Sequence, residues 1–401
     1  MIFCEINIDK SVHNHLVEKT PSKYFNQMIM DRFINIDFTK YHVLDKPSYK
    51  VSVGVYDKID FDPNNNLKKG YELSELAYQF IDKINYKKYK NVELFFNREF
   101  KKLNNKLFDD FNVNINGRQV SRAWIKMYEL LSDLKFFDNL DQKINAFHIC
   151  EAPGNFINSA VFYINRKSPN KEYKWTAQSL ASSMADFYDS YGFIKKTQSQ
   201  WDLGIDKTGD ITSIDNLRYY LDKYGNSDVM IGDCGEKWSI NSSLSRDLSV
   251  FQMIYAILFP KIGGNFVIKS FATNFNKLYL SMLYLACTMY ERIYTFKSNT
   301  NFWSSEIYIV GINKLKSIDT NILLDIAKNL LNNKITYPID EIPKSFIDMY
   351  QSIMYEYILQ YTDIKKFFVF LSTNDAIFNV AKDLIRQSVK EKMTKWTDKY
   401  L

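Results

Sequence analysis

From about residue 118 the chain alternates between two periodicities. In SRAWIKMYELLSDLKFF (121–137), NFINSAVFYI (155–164), NLRYYLDKY (216–224), SVFQMIYAILF (249–259) and NKLYLSMLYLACTMY (276–290), apolar residues recur every three or four positions, which predicts helices. Between them lie short apolar runs that predict strands: AFHIC (146–150), YKWTAQSL (173–180), DVMIGD (228–233), GNFVIKSF (264–271), RIYTFKS (292–298) and EIYIVGI (306–312). Helix and strand in alternation form an α/β fold with a mostly parallel sheet. The last two strands are joined by a loop too short for a parallel crossover, so the final strand should run antiparallel to the one before it. Ser121 stands where it can cap the first helix.

The flanks have a different texture. Residues 1 to about 105 read as a mixed α+β region, with a strand in YKVSVGVYD (49–57) and helical patches near 71–83. The region ends in INYKKYKNVELFFNREFKKLNNKLF (84–108), where Lys87, Lys88, Lys90, Arg98, Lys101 and Lys102 interleave with Tyr86, Tyr89, Phe95, Phe96 and Phe100. A helix with a solvated basic face is the commoner outcome for such a segment; its functional reading is a surface that tracks phosphates and stacks the bases of single-stranded RNA. Beyond about 316 the pattern turns helical, through TNILLDIAKNLLNN, SFIDMYQSIMYEYILQY and NDAIFNVAKDLIRQSVKEKM. The chain therefore divides into an accessory region (1–105), a central α/β domain (106–315) and a C-terminal helical extension (316–401).

Composition narrows the class. A chain of 401 residues with 46% hydrophobic content can build a sizeable core, and one main domain with additions is expected. The net charge of +6 suits a polyanionic partner without requiring one. Cys4, Cys150, Cys234 and Cys287 are scattered, with no C-x-x-C pair, which suggests neither a disulfide framework nor a zinc cluster and fits a reducing compartment. The first ten residues do not resemble a secretory signal, and the longest apolar stretches are too short to span a bilayer. A soluble intracellular protein with no membrane partner is expected. His13 and His15 lack a third ligand at metal-binding spacing, so no metal site is predicted, and His148 within its apolar strand reads as a core residue.

Ligands of parallel α/β sheets sit at the carboxyl ends of the strands, where Glu151-Ala152-Pro153-Gly154 places a turn. Gly154 lets a ligand approach the backbone and Pro153 fixes one dihedral, while Asn155 stands where a second glycine would strengthen a dinucleotide reading. Two further strands end in Asp233 and Lys269. Glu306 begins the final, antiparallel strand, which brings it to the same edge. The three charges should converge beside Gly154.

SRAWIKMYEL, ICEAPGNF, TGDIT, DVMIGDCG, GGNFVIKSF and FWSSEIYIV fall in an order and spacing that resembles the FtsJ-type 2'-O-ribose methyltransferases, over roughly residues 118–315. The CEAPG and TGDIT segments look more like the mRNA cap-specific branch, including relatives in large cytoplasmic DNA viruses, than the ribosomal RNA branch. The resemblance implies a Rossmann-like methyltransferase sheet and a catalytic tetrad at Lys126, Asp233, Lys269 and Glu306. It also implies S-adenosyl-L-methionine held by Ala152, Pro153, Gly154, Asn155 and Phe156, with Asp210 facing the adenine and Asp233 near the transferred methyl. Gln178 and Ser179 stand where an acid often holds the donor ribose, which leaves that contact open. The implied activity is 2'-O-methylation of RNA at the cap-proximal nucleotide of mRNA. The alternatives are ribosomal or transfer RNA as substrate, or an inactive domain kept as an RNA-binding or assembly subunit. Implied partners are RNA, capped mRNA first, and other capping or transcription proteins, in the cytoplasm or, for a viral protein, in the virion.

The chemistry explains the residue types. A ribose hydroxyl is a poor nucleophile at neutral pH, and a lysine is a useful base there only when its pKa falls from about 10.4 toward about 7 to 8. Lys126 and Lys269 close together beside a sulfonium would depress one of the pair, with Asp233 and Glu306 holding both in place. The resemblance assigns the base to Lys269 and leaves Lys126 to orient the hydroxyl.

Overall fold

The computed structural model describes residues 41–45, 52–57, 86–110, 120–181, 189, 192–235, 243–301, 303–373 and 375–401. The helical patches expected near 71–83, and His13 and His15, lie outside the described residues. The strands are β1 (Tyr41–Leu44), β2 (Val53–Asp57), β3 (Lys143–Ile149), β4 (Glu172–Ala177), β5 (Ser227–Gly232), β6 (Pro260–Phe271), β7 (Tyr290–Phe296), β8 (Glu306–Lys314) and β9 (Thr336–Ile339). The helices are α1 (Tyr86–Asp110), α2 (Arg122–Asp133), α3 (Asn155–Lys167), α4 (Phe193–Lys196), α5 (Ile214–Tyr224), α6 (Ser243–Leu258), α7 (Lys277–Met289), α8 (Thr320–Leu331), α9 (Lys344–Thr373) and α10 (Asp375–Tyr400).

Seven strands form one sheet in the order β1-β7-β8-β6-β5-β3-β4. Strands β4, β3, β5 and β6 are mutually parallel, and β8 runs antiparallel to both β6 and β7. The short β7–β8 loop thus forces the reversal expected from its length. Strand β1, from the N-terminal region, closes the edge antiparallel to β7. Among the described residues, the sheet continues beyond β4 as an isolated parallel bridge between Ala177 and Trp201. Strands β2 and β9 make a separate antiparallel pair.

Central position explains the sequence pattern of β5, which is buried at all six residues and carries the apolar run Val229-Met230-Ile231. Helix α7 buries nearly every side chain, from Leu278 to Met289, and joins Val250–Phe259, Phe266, Ile268, Ile307 and Ile309 in the main core. Each such side chain contributes about 1.5–3 kcal/mol on leaving water. Ser121 caps α2 as expected, accepting a hydrogen bond from Trp124 N at 3.1 Å.

The chain divides into two compact units, one comprising residues 39–76 and 112–361, the other 1–38, 77–111 and 362–401. The smaller unit is helical among its described residues. Its apolar contacts join α1 to α9 and α10: Phe96 packs on Phe368 (4.6 Å between ring centroids), Tyr89 on Phe368 (6.2 Å) and Phe95 on Phe378 (5.5 Å). Tyr89, Phe95 and Phe96 are therefore buried core residues, which removes them from the base-stacking surface that the basic-aromatic pattern allowed. No helix among the described residues is long and apolar enough to cross a membrane.

One expectation is corrected. The spacing of the cysteines suggested no disulfide, yet Cys150 and Cys234, 84 residues apart, are joined as one, with Cα atoms 5.0 Å apart. They follow β3 and β5, which are neighbours in the sheet, an adjacency that linear spacing does not reveal. Cys287 is a buried free thiol.

Candidate active site

At the carboxyl edge of β3 the chain turns through Cys150 (φ 54°) and Gly154 (φ 94°) into α3. The left-handed conformation falls on Gly154, and Asn155 is already the first helical residue. The second glycine is thus dispensable for the backbone. Glu151 is buried and turns inward: its Oε1 accepts from Phe156 N (2.9 Å) and Ile157 N (3.1 Å), satisfying amides at the helix start. Its Oε2 lies 3.1 Å from His148 Nδ1, and His148 Nε2 lies 2.7 Å from the Tyr173 hydroxyl. His148 is the satisfied core histidine expected of its position.

The loop after β4 is tied to this turn. Ala152 N donates to Ser179 Oγ at 2.7 Å and Cys150 N to Gln178 Oε1 at 3.0 Å, while Gln178 Nε2 donates to Gly209 O. Gln178 is fully buried, with both ends of its amide committed to bridging the loops, so it is not free to hold a ribose. Next to Gly209, Asp210 accepts from Thr212 N and Thr212 Oγ1, each at 2.8 Å, and stabilises its own turn. Gln178 thereby brings the Asp210 loop to the mouth of β3.

The four charges meet at the same edge. Lys126 on α2 donates to Glu306 Oε1 at 2.5 Å, and Lys269 at the end of β6 donates to Asp233 O at 2.8 Å and lies 3.2 Å from Asp233 Oδ1. Tyr308 joins the two pairs, its hydroxyl lying 3.2 Å from Asp233 Oδ1 and 3.0 Å from Glu306 Oε1. Phe156, from the Gly154 turn, packs against the Tyr308 ring with centroids 5.8 Å apart. The Pro153–Gly154 turn and the charged cluster are thus one site. Lys126, which a helix pattern alone would leave as a surface lysine, is 8% exposed.

Electrostatics depart from the expected lysine–lysine repulsion. Burial pushes the Lys269 ammonium down, but Asp233 and then Glu306 outweigh it, and its pKa is raised above the ordinary value. Each lysine has a carboxylate of its own, so attraction exceeds like-charge repulsion. Burial likewise disfavours the Glu306 carboxylate, yet Lys126 and Lys269 bring its pKa down to about 2.

Three residues that sequence reasoning missed complete the cluster. Tyr308 could have been found, since it stands two residues beyond Glu306 on the same face of a strand. Asn301 Nδ2 donates to Glu306 Oε1 at 2.9 Å, a contact made by loop geometry alone. Lys297 ends the apolar run of β7, the same signal that singled out Lys269 at the end of β6.

A mostly parallel sheet with a reversed β8 is a Rossmann-like fold, and the Lys/Asp/Lys/Glu cluster sits at its carboxyl edge, where ligands of such sheets bind. Residues 119–314 match the model of the FtsJ-like methyltransferases. Similar proteins include L511 of Acanthamoeba polyphaga mimivirus, 29% identical over 61% of this chain and 33% of that protein. Cap-specific mRNA (nucleoside-2'-O-)-methyltransferase 2 of Danio rerio is 25% identical over 59% of this chain and 35% of its own length. The probable methyltransferase EP424R of African swine fever virus (isolate Pig/Kenya/KEN-50/1950) is 29% identical over 54% of both chains. The chain spans about a third of the length of the first two.

Proposed function

We propose that the protein transfers a methyl group from S-adenosylmethionine to a ribose 2'-hydroxyl of RNA, at the cap-proximal nucleotide of mRNA. The observation that carries this reading is the meeting of Lys126, Asp233, Lys269 and Glu306, far apart in sequence, beside the Gly154 turn. Relatives named as cap-specific methyltransferases support the substrate, and viral relatives support a viral or cytoplasmic setting.

The residues present fit the donor. Gly154 leaves the turn between β3 and α3 without a side chain, Asp210 is held at the same mouth, and two carboxylates at one edge suit a cationic sulfur. Ala152, Pro153, Asn155 and Phe156 would line the methionine end, and Asp233 would stand nearest the methyl. Bound S-adenosylmethionine supplies an electrophilic methyl on a positively charged sulfur, a charge that also favours loss of a proton from a neighbouring lysine. Lys126, fixed by Glu306, orients the ribose hydroxyl. Lys269, fixed by Asp233, takes up its proton. An assembled cluster with each charge paired disfavours an inactive scaffold. The exposed Lys87, Lys90, Arg98 and Lys101 of α1 are the proposed phosphate contacts of the smaller unit.

Methyl transfer from labelled donor to otherwise identical capped and uncapped transcripts tests the substrate. Faster transfer to the capped RNA is expected, and equal rates would exclude the cap reading.

Gly235 gives a sharper test of the site. A Cβ built there would lie 2.6 Å from both Cε and Nζ of Lys269. The clash is with the mobile end of a long side chain, so the fold can absorb it but the ammonium must move. Gly235→Ala should lower kcat about 10²-fold with a stability change below about 1 kcal/mol. Kinetics and thermal melting of the same preparation check this, and a variant with wild-type kcat would refute the assigned position of Lys269.

A further inference from the structure

Lys297 is a buried lysine for which the proposed chemistry has no use. It is 1% exposed, immediately after β7, and its amine donates to Ser304 O and, at 2.8 Å, to Glu306 O. Both acceptors belong to the short segment that delivers Glu306 into the site. The same segment is held from α2, where buried Glu129 accepts from Asn299 N at 3.1 Å, and internally, where Glu306 N donates to Ser304 Oγ at 3.1 Å. A hydrocarbon side chain at 297 would leave two buried carbonyls without donors, and the start of β8 would be free to shift.

We infer that Lys297 is a positioning residue of the site, whose amine holds the backbone of Glu306 so that its carboxylate meets Lys126, Asn301 and Tyr308 at one oxygen. It touches neither reacting atom, and acts through Glu306. This role rests on the proposed methyl transfer only for its catalytic consequence. The charged groups that face Lys297 are Glu306 from β8 and Lys126 from α2. Burial lowers its pKa to about 7, opposed by Glu306 and reinforced by Lys126. A neutral amine at 297 still donates to both carbonyls, and it leaves the Glu306–Lys126 pair balanced one charge to one.

A double-mutant cycle tests the inference. Lys297→Met is expected to lower kcat about 10- to 100-fold with donor affinity retained, and to cost nothing further in a Glu306→Gln background. An equal loss in both backgrounds would show that Lys297 supports the fold alone, and an undiminished kcat in the wild-type background would also overturn the role. A second measurement needs neither activity nor a folded Lys297→Met. In the full chain carrying carbon-labelled lysine, one side-chain resonance, assigned by its absence from Lys297→Arg, should titrate near neutral pH. It should titrate lower still in Glu306→Gln, because the carboxylate that favours the ammonium is gone. No change on Glu306→Gln would separate Lys297 from Glu306 and end the proposal. Absence of methyl transfer from the wild type, with the titration shift intact, would end the enzymatic reading and leave the structural link standing.

Discussion

Replacing Lys269 with methionine will lower kcat for methyl transfer about 10³-fold, while the affinity for S-adenosylmethionine stays within about threefold. Methionine keeps the volume at the end of β6 but removes the group that donates to Asp233 O at 2.8 Å. The proton acceptor is needed only as the ribose proton departs, so its loss falls on kcat. Lys269→Arg should be as inactive, because a guanidinium retains the charge and cannot release a proton in the working range. The wild type carries its own pH signature. Asp233 and Glu306 raise the Lys269 pKa, so the lysine is protonated at neutral pH and the reactive fraction grows as pH rises. The rate should increase from about pH 7 to about pH 9. Single-turnover transfer measures the rates and calorimetry the donor affinity. Activity in Lys269→Arg, or a rate that does not respond to pH, would remove Lys269 from the base role.

Glu306→Ala carries the largest expected cost in stability. It leaves Lys126, buried and 2.5 Å from its former partner, without compensation. Breaking a buried pair by removing one member costs about 3–5 kcal/mol. The pH dependence has a definite sign. The folded-state Glu306 carboxyl titrates at about 2, below its ordinary value, so its contribution is fully present above that ordinary value and is lost as pH falls toward 2. The wild-type and variant unfolding free energies should therefore converge as pH falls from about 5 to about 2. Denaturant titrations across that range measure the gap. A gap that stays constant with pH would mean that ionisation of Glu306 is not coupled to folding, against the Lys126–Glu306 pairing.

The periodicities of residues 121–312 were enough to place strands β3 to β8 and helices α2, α3, α5, α6 and α7, because burial on two faces leaves apolar runs and burial on one face leaves helical spacing. They were not enough to place β1, whose four residues, Tyr41–Leu44, acquire their role only by pairing with β7. The basic-aromatic segment shows the same boundary of inference: alternation of lysine and aromatic residues predicts an amphipathic helix, but the partners Phe368 and Phe378 decide that its rings face a core.

For the site, the chain itself settled which charges could meet. Asp233, Lys269 and Glu306 terminate or begin strands, and a reversed last strand brings all three to one edge by topology alone. Lys126 could be assigned only through resemblance, since a lysine on an apolar helix face usually reaches solvent. The tertiary structure decided what those charges do to one another. Distances of 2.5 Å and 3.2 Å give each lysine its own carboxylate and raise Lys269 where adjacency of cations would have lowered it. It also decided the Cys150–Cys234 disulfide, the bridging by Gln178 and the anchoring by Lys297. Hydrophobic order along a chain is a local property legible at a few residues' range, whereas the energy of a charge or a hydrogen bond changes over an ångström or two and is set only when distant segments have packed.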